Sequence, residues 1–357
     1  MKTCIHFGLC GGCTLQNLPP EEYRARKREQ VMKALAHAGL PDMEVREPVM
    51  VPPRSRRRAV FKLSKAKGEI AAGFHAAKSH AIVDMRECLV LTPALFALAA
   101  ELRLALKPIL HDGEKWECHV AQTDTGLDLA FRSPRKLTPA LTAALAAGFS
   151  GAEGTKKVAR IIFNNEIAME NAVPMVTLGG AKVVPPPHAF LQATKEGEAA
   201  LQEHVQSLTA KARHIADLFA GLGTFTFALA RNARVHAVEQ DHESLAALAS
   251  AAKSTPGLKP ITTEKRDLFK EPLTPPELRT FDAVLLDPPR AGAEAQATAL
   301  AASQVPRVVY VSCDAGSFAR DAAILAGAGF RHGPVTPIDQ FLWSGHIELV
   351  AGFERKR

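Results

Sequence analysis

The sequence predicts an α/β protein, with a Rossmann-like parallel sheet in its C-terminal part. Ahead of it lie a cysteine-rich N-terminal segment and a mixed α+β middle region. Three observations carry this reading. Beyond residue 187, short apolar runs alternate with helical stretches, the rhythm of a parallel sheet with crossover helices. Pro185-Pro186-Pro187 is the clearest break in the chain and marks a domain boundary. The first strand beyond it ends in a glycine turn, Ala220-Gly-Leu-Gly-Thr224.

The expected units are residues 1–40, 41–184 and 185–357. A chain of 357 residues, 47% hydrophobic and 23% charged, is globular and large enough for two or three domains. After a Cys/Gly-rich opening, Glu21–His37 reads as an amphipathic helix closed by Gly39. Residues 45–85 read as strands with turns at Pro52-Pro53 and Lys67-Gly68. Leu91–Leu110 reads as a helix, 116–133 as strands, 137–148 as a helix and 158–178 as further strands. In the last unit the expected strands are His214–Phe219, Ala233–Val238, Phe281–Leu286, Arg307–Val311 and Gly345–Phe353. Helices are expected over Thr224–Arg231 and Glu243–Lys253. No run of 18 uncharged apolar residues exists and the N-terminus lacks an apolar signal core, so a cytoplasmic protein without a membrane partner is expected.

The net charge is +7, and residues 1–75 hold all of it, with fourteen Lys/Arg against seven Asp/Glu. Arg54, Arg56, Arg57 and Arg58 form its densest part. Such one-ended charge suits a face set against a polyanion, or a merely solvated surface. Three cysteines within ten residues (Cys4, Cys10 and Cys13) point to a metal or cluster site rather than to disulfides.

Gly221 and Gly223 let backbone approach a ligand. Glu239 ends the next strand, placed for a ribose diol. A dinucleotide fingerprint would carry Gly or Ala where Thr226 stands, and Asp217 ahead of the turn would repel a phosphate. An acidic turn suits the sulfonium or amino-acid end of S-adenosylmethionine, so that cofactor is expected over NAD. Asp267 and Asp287 fall at further strand ends, where open α/β sheets bind ligands. Cys313 leaves the strand Val308-Val-Tyr-Val-Ser312 at the same edge, where a thiolate can attack an electron-poor double bond. Glu348 offers a carboxylate base.

Asp287-Pro-Pro-Arg-Ala-Gly292 and Tyr310-Val-Ser-Cys-Asp314, with His346-Ile-Glu348 behind them, resemble the RNA 5-methyluridine methyltransferases over nearly the whole chain. The resemblance implies a class I methyltransferase domain behind an iron–sulfur segment and a middle RNA-binding domain. It implies Cys313 as nucleophile on uracil C6 and Glu348 as the base that removes the C5 proton. It places Gln192, Phe219, Thr224, Glu239, Asp267 and Asp287 at the cofactor. Cys4, Cys10, Cys13 and Cys88 match the four thiolate ligands of a [4Fe-4S] cluster, while Cys118 matches nothing. Four thiolates suit zinc as well, although C-x5-C-x2-C with one remote cysteine is unlike the paired C-x2-C of zinc ribbons. The expected partner is RNA, rRNA ahead of tRNA, acted on by a monomer.

Two departures stand out. The small N-terminal β-barrel that such enzymes often carry has no counterpart before Cys4, so the grip on RNA is expected from the middle domain around Arg54–Lys67. Asp339-Gln-Phe-Leu-Trp-Ser-Gly345 also differs from the family's usual run before the catalytic glutamate. Two other readings remain: an RNA cytosine-C5 methyltransferase, against which Pro288-Pro289 stands where a second cysteine is usual, and a non-catalytic iron–sulfur RNA-binding protein, which would be expected to lose Cys313 or Glu348.

Overall fold

The computed structural model describes residues 3–150 and 158–355. Helix α1 (Pro20–His37) starts at a proline, carries Glu21 and Glu22 in its first turn and buries Tyr23, Lys27, Val31 and Leu35, one stripe at i, i+4 spacing. Strand β1 (Val49–Met50) follows. The middle unit is a seven-stranded sheet of β2 (Arg58–Ala66), β3 (Glu69–His75), β4 (Ile82–Asp84), β5 (Lys115–Gln122), β6 (Leu127–Arg132), β7 (Val158–Phe163) and β8 (Glu166–Glu170). Its order is β4-β3-β2-β5-β6-β7-β8, antiparallel except for β6 with β7. Helices α2 (Pro93–Leu106) and α3 (Pro139–Ser150) cover one face around Phe61, Leu63, Trp116 and Phe131. Cys118 is fully buried in this core.

A two-stranded ribbon, β9 (Val176–Leu178) and β10 (Ala181–Val183), leads to helix α4 (Lys195–Thr209). The C-terminal unit then runs β11 (His214–Leu218), α5 (Thr226–Leu229), β12 (Arg234–Glu239), α6 (His242–Ser254), β13 (Ile261–Lys265), α7 (Pro275–Leu278) and β14 (Ala283–Leu286). It closes with α8 (Glu294–Ala301), β15 (Arg307–Ser312), α9 (Ala315–Gly327), β16 (Phe330–His332), β17 (Thr336–Asp339) and β18 (Glu348–Arg355). The sheet order is β1-β17-β18-β15-β14-β11-β12-β13, with β16 beside β18. Strands β15, β14, β11, β12 and β13 are parallel, and β18 runs against β15. Alternate residues face opposite layers. Ala216, Leu218, Val284, Leu286, Val308 and Tyr310 meet α8, α9 and α1, whereas Ile215, Ala283, Leu285, Val309 and Val311 meet α4 and α5.

Three features differ from the sequence expectation. The helix after the glycine turn spans only Thr226–Leu229, because positive φ at Gly221 and Gly223 delays its start. Helices α4, α7, α8 and α9 and strands β10, β13, β16 and β17 are additional. The segment 20–50 packs with the C-terminal unit: Val31, Leu35, Met43 and Val45 enter its core, and β1 extends its sheet beside β17. The division at 40/41 therefore does not follow the packing, and with Val176, Leu178, Ala181 and Val183 packed against Leu222, Phe227 and Leu248, neither does that at 184/185.

One buried ion pair anchors that arrangement. Lys27 Nζ lies 2.9 Å from Asp339 Oδ1, both side chains fully buried. Tyr23 donates its hydroxyl hydrogen to the other Asp339 oxygen, and Lys27 also donates to the carbonyl of His346. The Tyr23 oxygen in turn accepts from the Trp343 N–H at 2.7 Å. Breaking a buried pair from one side leaves an uncompensated charge. Lys27→Met should therefore cost about 3–5 kcal/mol of folding stability, measured by urea unfolding. A loss below ~1 kcal/mol would show that Asp339 does not depend on this cation.

Candidate active site

The reactive groups collect at the carboxyl edge of the parallel strands. Strand β18 is antiparallel to β15, with Ser312 opposite Leu349. Cys313 follows Ser312 and Glu348 precedes Leu349, close enough for the Glu348 charge to act on the Cys313 thiol, so the register brings nucleophile and base candidates together across neighbouring strands. Asp287 follows β14, its N–H bonded to the carbonyl of Leu218 at 3.2 Å. Asp217 lies buried near the end of β11.

This edge concentrates acid in a poorly solvated place. Burial pushes Glu348 up to about 7, against the opposing pull of the Gln340 amide and the Arg58 charge. Burial first, then the charges of Glu348 and Asp217, holds Asp287 well above the ordinary carboxylate range. Burial also lifts Asp217 to about 7, with Glu239 adding repulsion. One Asp217 oxygen accepts from Thr226 Oγ1 at 2.5 Å; the other is buried without a partner. The Cys313 thiol is raised to about 11, by burial and then by Glu348 and Asp287, with Arg290 pulling the other way.

The loops that carry these groups are braced. Ala293 N–H donates to Asp321 Oδ2 at 2.7 Å and to Tyr310 Oη at 3.1 Å, which fixes the Asp287–Gly292 turn. Gly292 has φ +79°, and a Cβ there would lie 2.7 Å from Asp321, so only glycine fits. Asp314 caps α9 by accepting from Gly316 and Ser317 N–H, both at 3.0 Å. Ahead of Glu348, Gln340 donates to Gln192 Oε1 at 2.6 Å. Thr14 and Leu15 N–H both bond the Trp343 carbonyl, at 2.8 and 2.9 Å, so the N-terminal segment holds this loop too.

Beside the acid edge lies the glycine turn. Gly221 accepts no side-chain neighbour: the space where its Cβ would point is open. Its N–H donates to Glu239 Oε2 at 2.9 Å, while Asp241 N–H donates to Oε1 at 2.7 Å. Gly223 is needed for packing, since a Cβ would sit 2.7 Å from the Phe227 ring. Phe219, at φ +65°, lies 5.5 Å from Phe269, ring centre to ring centre. Asp267 accepts from Phe269 N–H at 3.1 Å, and Thr224 is buried under the turn, its carbonyl bonded by Gln202. Asp217, Glu239, Asp267 and Asp287 thus sit around one glycine turn.

The basic run Arg54–Arg58 is not a phosphate-facing patch. Arg57 is buried, ion-paired to Glu198 at 2.5 Å and bonded through Nε to the Gln192 carbonyl at 3.0 Å. Arg56 is half-buried and its guanidinium lies 5.8 Å from the Phe341 ring. Backbone bridges tie Arg56 to Leu91 and Thr194. The run forms the seam between the middle and C-terminal units, and among the four arginines only Arg54 is exposed. Arg58 is a site residue that the sequence reading missed, because it was counted with its neighbours: its charge acts on Glu348 and Cys313, and it stacks 4.4 Å from the exposed Phe190 ring. Phe190, Phe269 and Gln340 were also missed. Phe190 and Phe269 stand two residues from Gln192 and Asp267, and that proximity was the available signal.

At the N-terminus, Cys4, Cys10, Cys13 and Cys88 line one cavity of about 670 Å³ with Arg56 and Leu342. Their charges oppose one another. Burial and then Cys88, Cys10 and Cys4 raise Cys13 to about 12. Burial raises Cys88 too, with Cys4 and Cys10 contributing. Among the described residues, no group of three or more His, Cys, Asp or Glu side chains closes on a single metal-ion position. No helix among them is long and apolar enough to cross a membrane.

Fold and site together define a class I methyltransferase with a thiol at its reactive edge. The solved tRNA (uracil-54, C5)-methyltransferase of Pyrococcus abyssi shares the fold at a TM-score of 0.77 and 21% identity, over 99% of this chain and 86% of that one. The tRNA (Uracil-5-)-methyltransferase family profile matches residues 263–356, and a profile described as conserved hypothetical protein 95 matches 198–308. An uncharacterized RNA methyltransferase of Rhizobium meliloti is 44% identical over 99% of this chain and 85% of its own length. The 23S rRNA (uracil(1939)-C(5))-methyltransferase of Bordetella bronchiseptica is 32% identical over 98% and 79%. This chain belongs to the RNA uracil-5-methyltransferase family.

The raised carboxyls give stability a definite slope. Glu348, Asp217 and Asp287 keep protons in the folded state that the unfolded chain releases near pH 4 to 4.5, so folding binds protons and stability falls as pH rises through about 7. The melting temperature of the protein alone should drop between pH 5.5 and 8, and Glu348→Gln should flatten that drop. An equally steep profile in the variant would remove Glu348 from the cluster of raised groups.

Proposed function

We propose that the protein methylates C5 of a uridine in RNA, most readily 23S rRNA, using S-adenosylmethionine and a covalent link between Cys313 and uracil C6. The observation that carries this reading is the β15–β18 register, which sets Cys313 against Glu348 with Asp287 beside them. A relative named for 23S rRNA uracil methylation supports the choice of rRNA.

The surroundings of the glycine turn suit the cofactor. Open space over Gly221, the Phe219–Phe269 pair and the Glu239 carboxylate fit an adenosine, and the acid edge attracts a sulfonium. Phe219, Gly221, Gly223, Thr224, Glu239, Asp267, Asp287 and Gln192 would hold it. Bound there, it supplies an electrophilic methyl group. Cys313 Sγ, as thiolate, forms a bond to uracil C6 and pushes the C5–C6 π electrons toward O4. Asp287, which keeps a proton at neutral pH, donates a hydrogen bond to that oxygen and stabilises the enolate. C5, now nucleophilic, would take the methyl group as the methyl–sulfur bond breaks and its electron pair stays on the donor's sulfur. Glu348, poised near 7, accepts the C5 proton. The C5–H electrons re-form the C5–C6 double bond, the S–C6 bond breaks, and Cys313 leaves as thiolate. The target base must be turned out of its stack to reach these groups.

We further propose that Cys4, Cys10, Cys13 and Cys88 hold a [4Fe-4S] cluster. Four thiols lining one cavity are a donor set that cationic iron would stabilise as thiolates. The cavity also touches Gln340 and Leu342, so the group would shape the loop before Glu348 while taking no part in the reaction.

The catalytic reading is tested on RNA from a strain lacking the protein. The wild-type enzyme should restore 5-methyluridine at one position, mapped by mass spectrometry. Cys313→Ala should restore none. Glu348→Gln should stall after methyl transfer and leave an enzyme–RNA adduct that survives a denaturing gel. Normal turnover by either variant would overturn the assigned roles.

For the cluster, anaerobically purified protein should contain about four iron and four sulfide per chain. One zinc without sulfide would sink the iron–sulfur reading and leave the catalytic one standing.

A further inference from the structure

Next to the reactive edge lies a second pocket that no step above uses. It encloses about 190 Å³ between the seam and the middle sheet, room for about six waters at ~30 Å³ each. That is the space of one planar heterocycle. Arg58, Phe190, His119 and His188 all line it, and Arg58 is also the residue whose charge acts on Glu348 and Cys313.

Three polar atoms of these lining residues are buried with no partner: Nδ1 and Nε2 of His188, and Nε of Arg58. Each such group costs about 1–3 kcal/mol unless something else satisfies it. His188 also sits at φ +61°, a left-handed conformation that a non-glycine residue adopts at a cost. These atoms are closed to water in this pocket; turning the His188 ring would open its nitrogens to a heterocycle with donors and acceptors on its edge. The slot offers flat walls as well. The Arg58 guanidinium lies 4.4 Å from the Phe190 ring centre, and the His119 and His188 rings meet edge to face at 5.4 Å. Phe190 is 56% exposed. Single-stranded RNA is held by stacking splayed bases on aromatic and arginine planes and bonding their edges. A phosphate is disfavoured, because Asp128 also lines the pocket and burial keeps both histidines toward their neutral forms.

We infer that this pocket takes the base of a nucleotide flanking the target uridine, turned out of the RNA stack beside it. The inference rests on the proposed uridine methylation. It makes recognition a two-base event.

The test uses a short RNA carrying the mapped uridine, with an abasic nucleotide placed in turn at each of the two positions on either side. One abasic position should raise KM for RNA about tenfold with the wild-type enzyme, in the range expected for one base–aromatic contact. His188→Phe, which fills the pocket, should raise KM on the intact RNA by a similar factor and cancel the penalty of that abasic position. His188→Gly, which tolerates the positive φ, should reduce the penalty should the phenylalanine variant fail to fold. Coupling between protein and RNA changes separates a pocket contact from general disruption. The inference is overturned if no flanking abasic position changes KM, or if the penalty persists in full in folded His188 variants. No methylation of the intact RNA by the wild-type enzyme would instead overturn the parent reading.

Discussion

Because β18 runs against β15 while its other neighbours in the central sheet run together, the chain delivers Glu348 to the edge where Cys313 leaves. A parallel β18 would put its first residue at the far end of the sheet. The register also forces Glu348 close to Asp287, and Asp287 close to Asp217, at an edge with little water. Two consequences follow from the same burial. The carboxyls retain protons at neutral pH, and the Cys313 thiol stays protonated. In the proposed reading, arrival of a positively charged cofactor favours the Cys313 thiolate, so binding of one substrate helps to ionise the nucleophile that attacks the other.

The second constraint is the seam. Arg57 spends its charge on Glu198 and on the Gln192 carbonyl, inside the protein. Gln192 passes the constraint to Gln340 through one hydrogen bond, and Gln340 lies beside Glu348. A residue read as a surface contact for RNA is thus part of the chain of contacts that leads to Glu348. Arg58, one position on, alternates to the opposite face of β2 and reaches the reactive edge.

How legible this was depended on how local the signal was. The central strands announce themselves, since Ala283-Val-Leu-Leu286 and Arg307–Ser312 are near-continuous apolar runs of the kind that only a doubly covered parallel sheet buries. The carboxylates and Cys313 follow such runs directly, so their edge could be read without coordinates. The four cysteines could be grouped but not placed around a cavity. The docking of α1 was hidden because Lys27, in a charged helix, reads as solvent-facing; its partner Asp339 lies 312 residues away. Arg57 was misread for the same reason, with Glu198 141 residues distant. His188 was passed over inside a proline break, where strain rather than composition marks it.

The clamp of Tyr23 and Lys27 on Asp339 also bears on how the protein is made. Synthesis delivers Lys27 312 residues ahead of Asp339, so α1 must remain undocked, its apolar stripe uncovered, until β17 emerges. The middle sheet can close meanwhile from its own hairpins, but the C-terminal sheet waits for both partners of the clamp. Contacts at such separation make late steps slow and leave exposed surface for chaperones to guard. The catalytic half therefore does not mature as a free-standing module: it is completed when an early helix returns to meet strands made long after it.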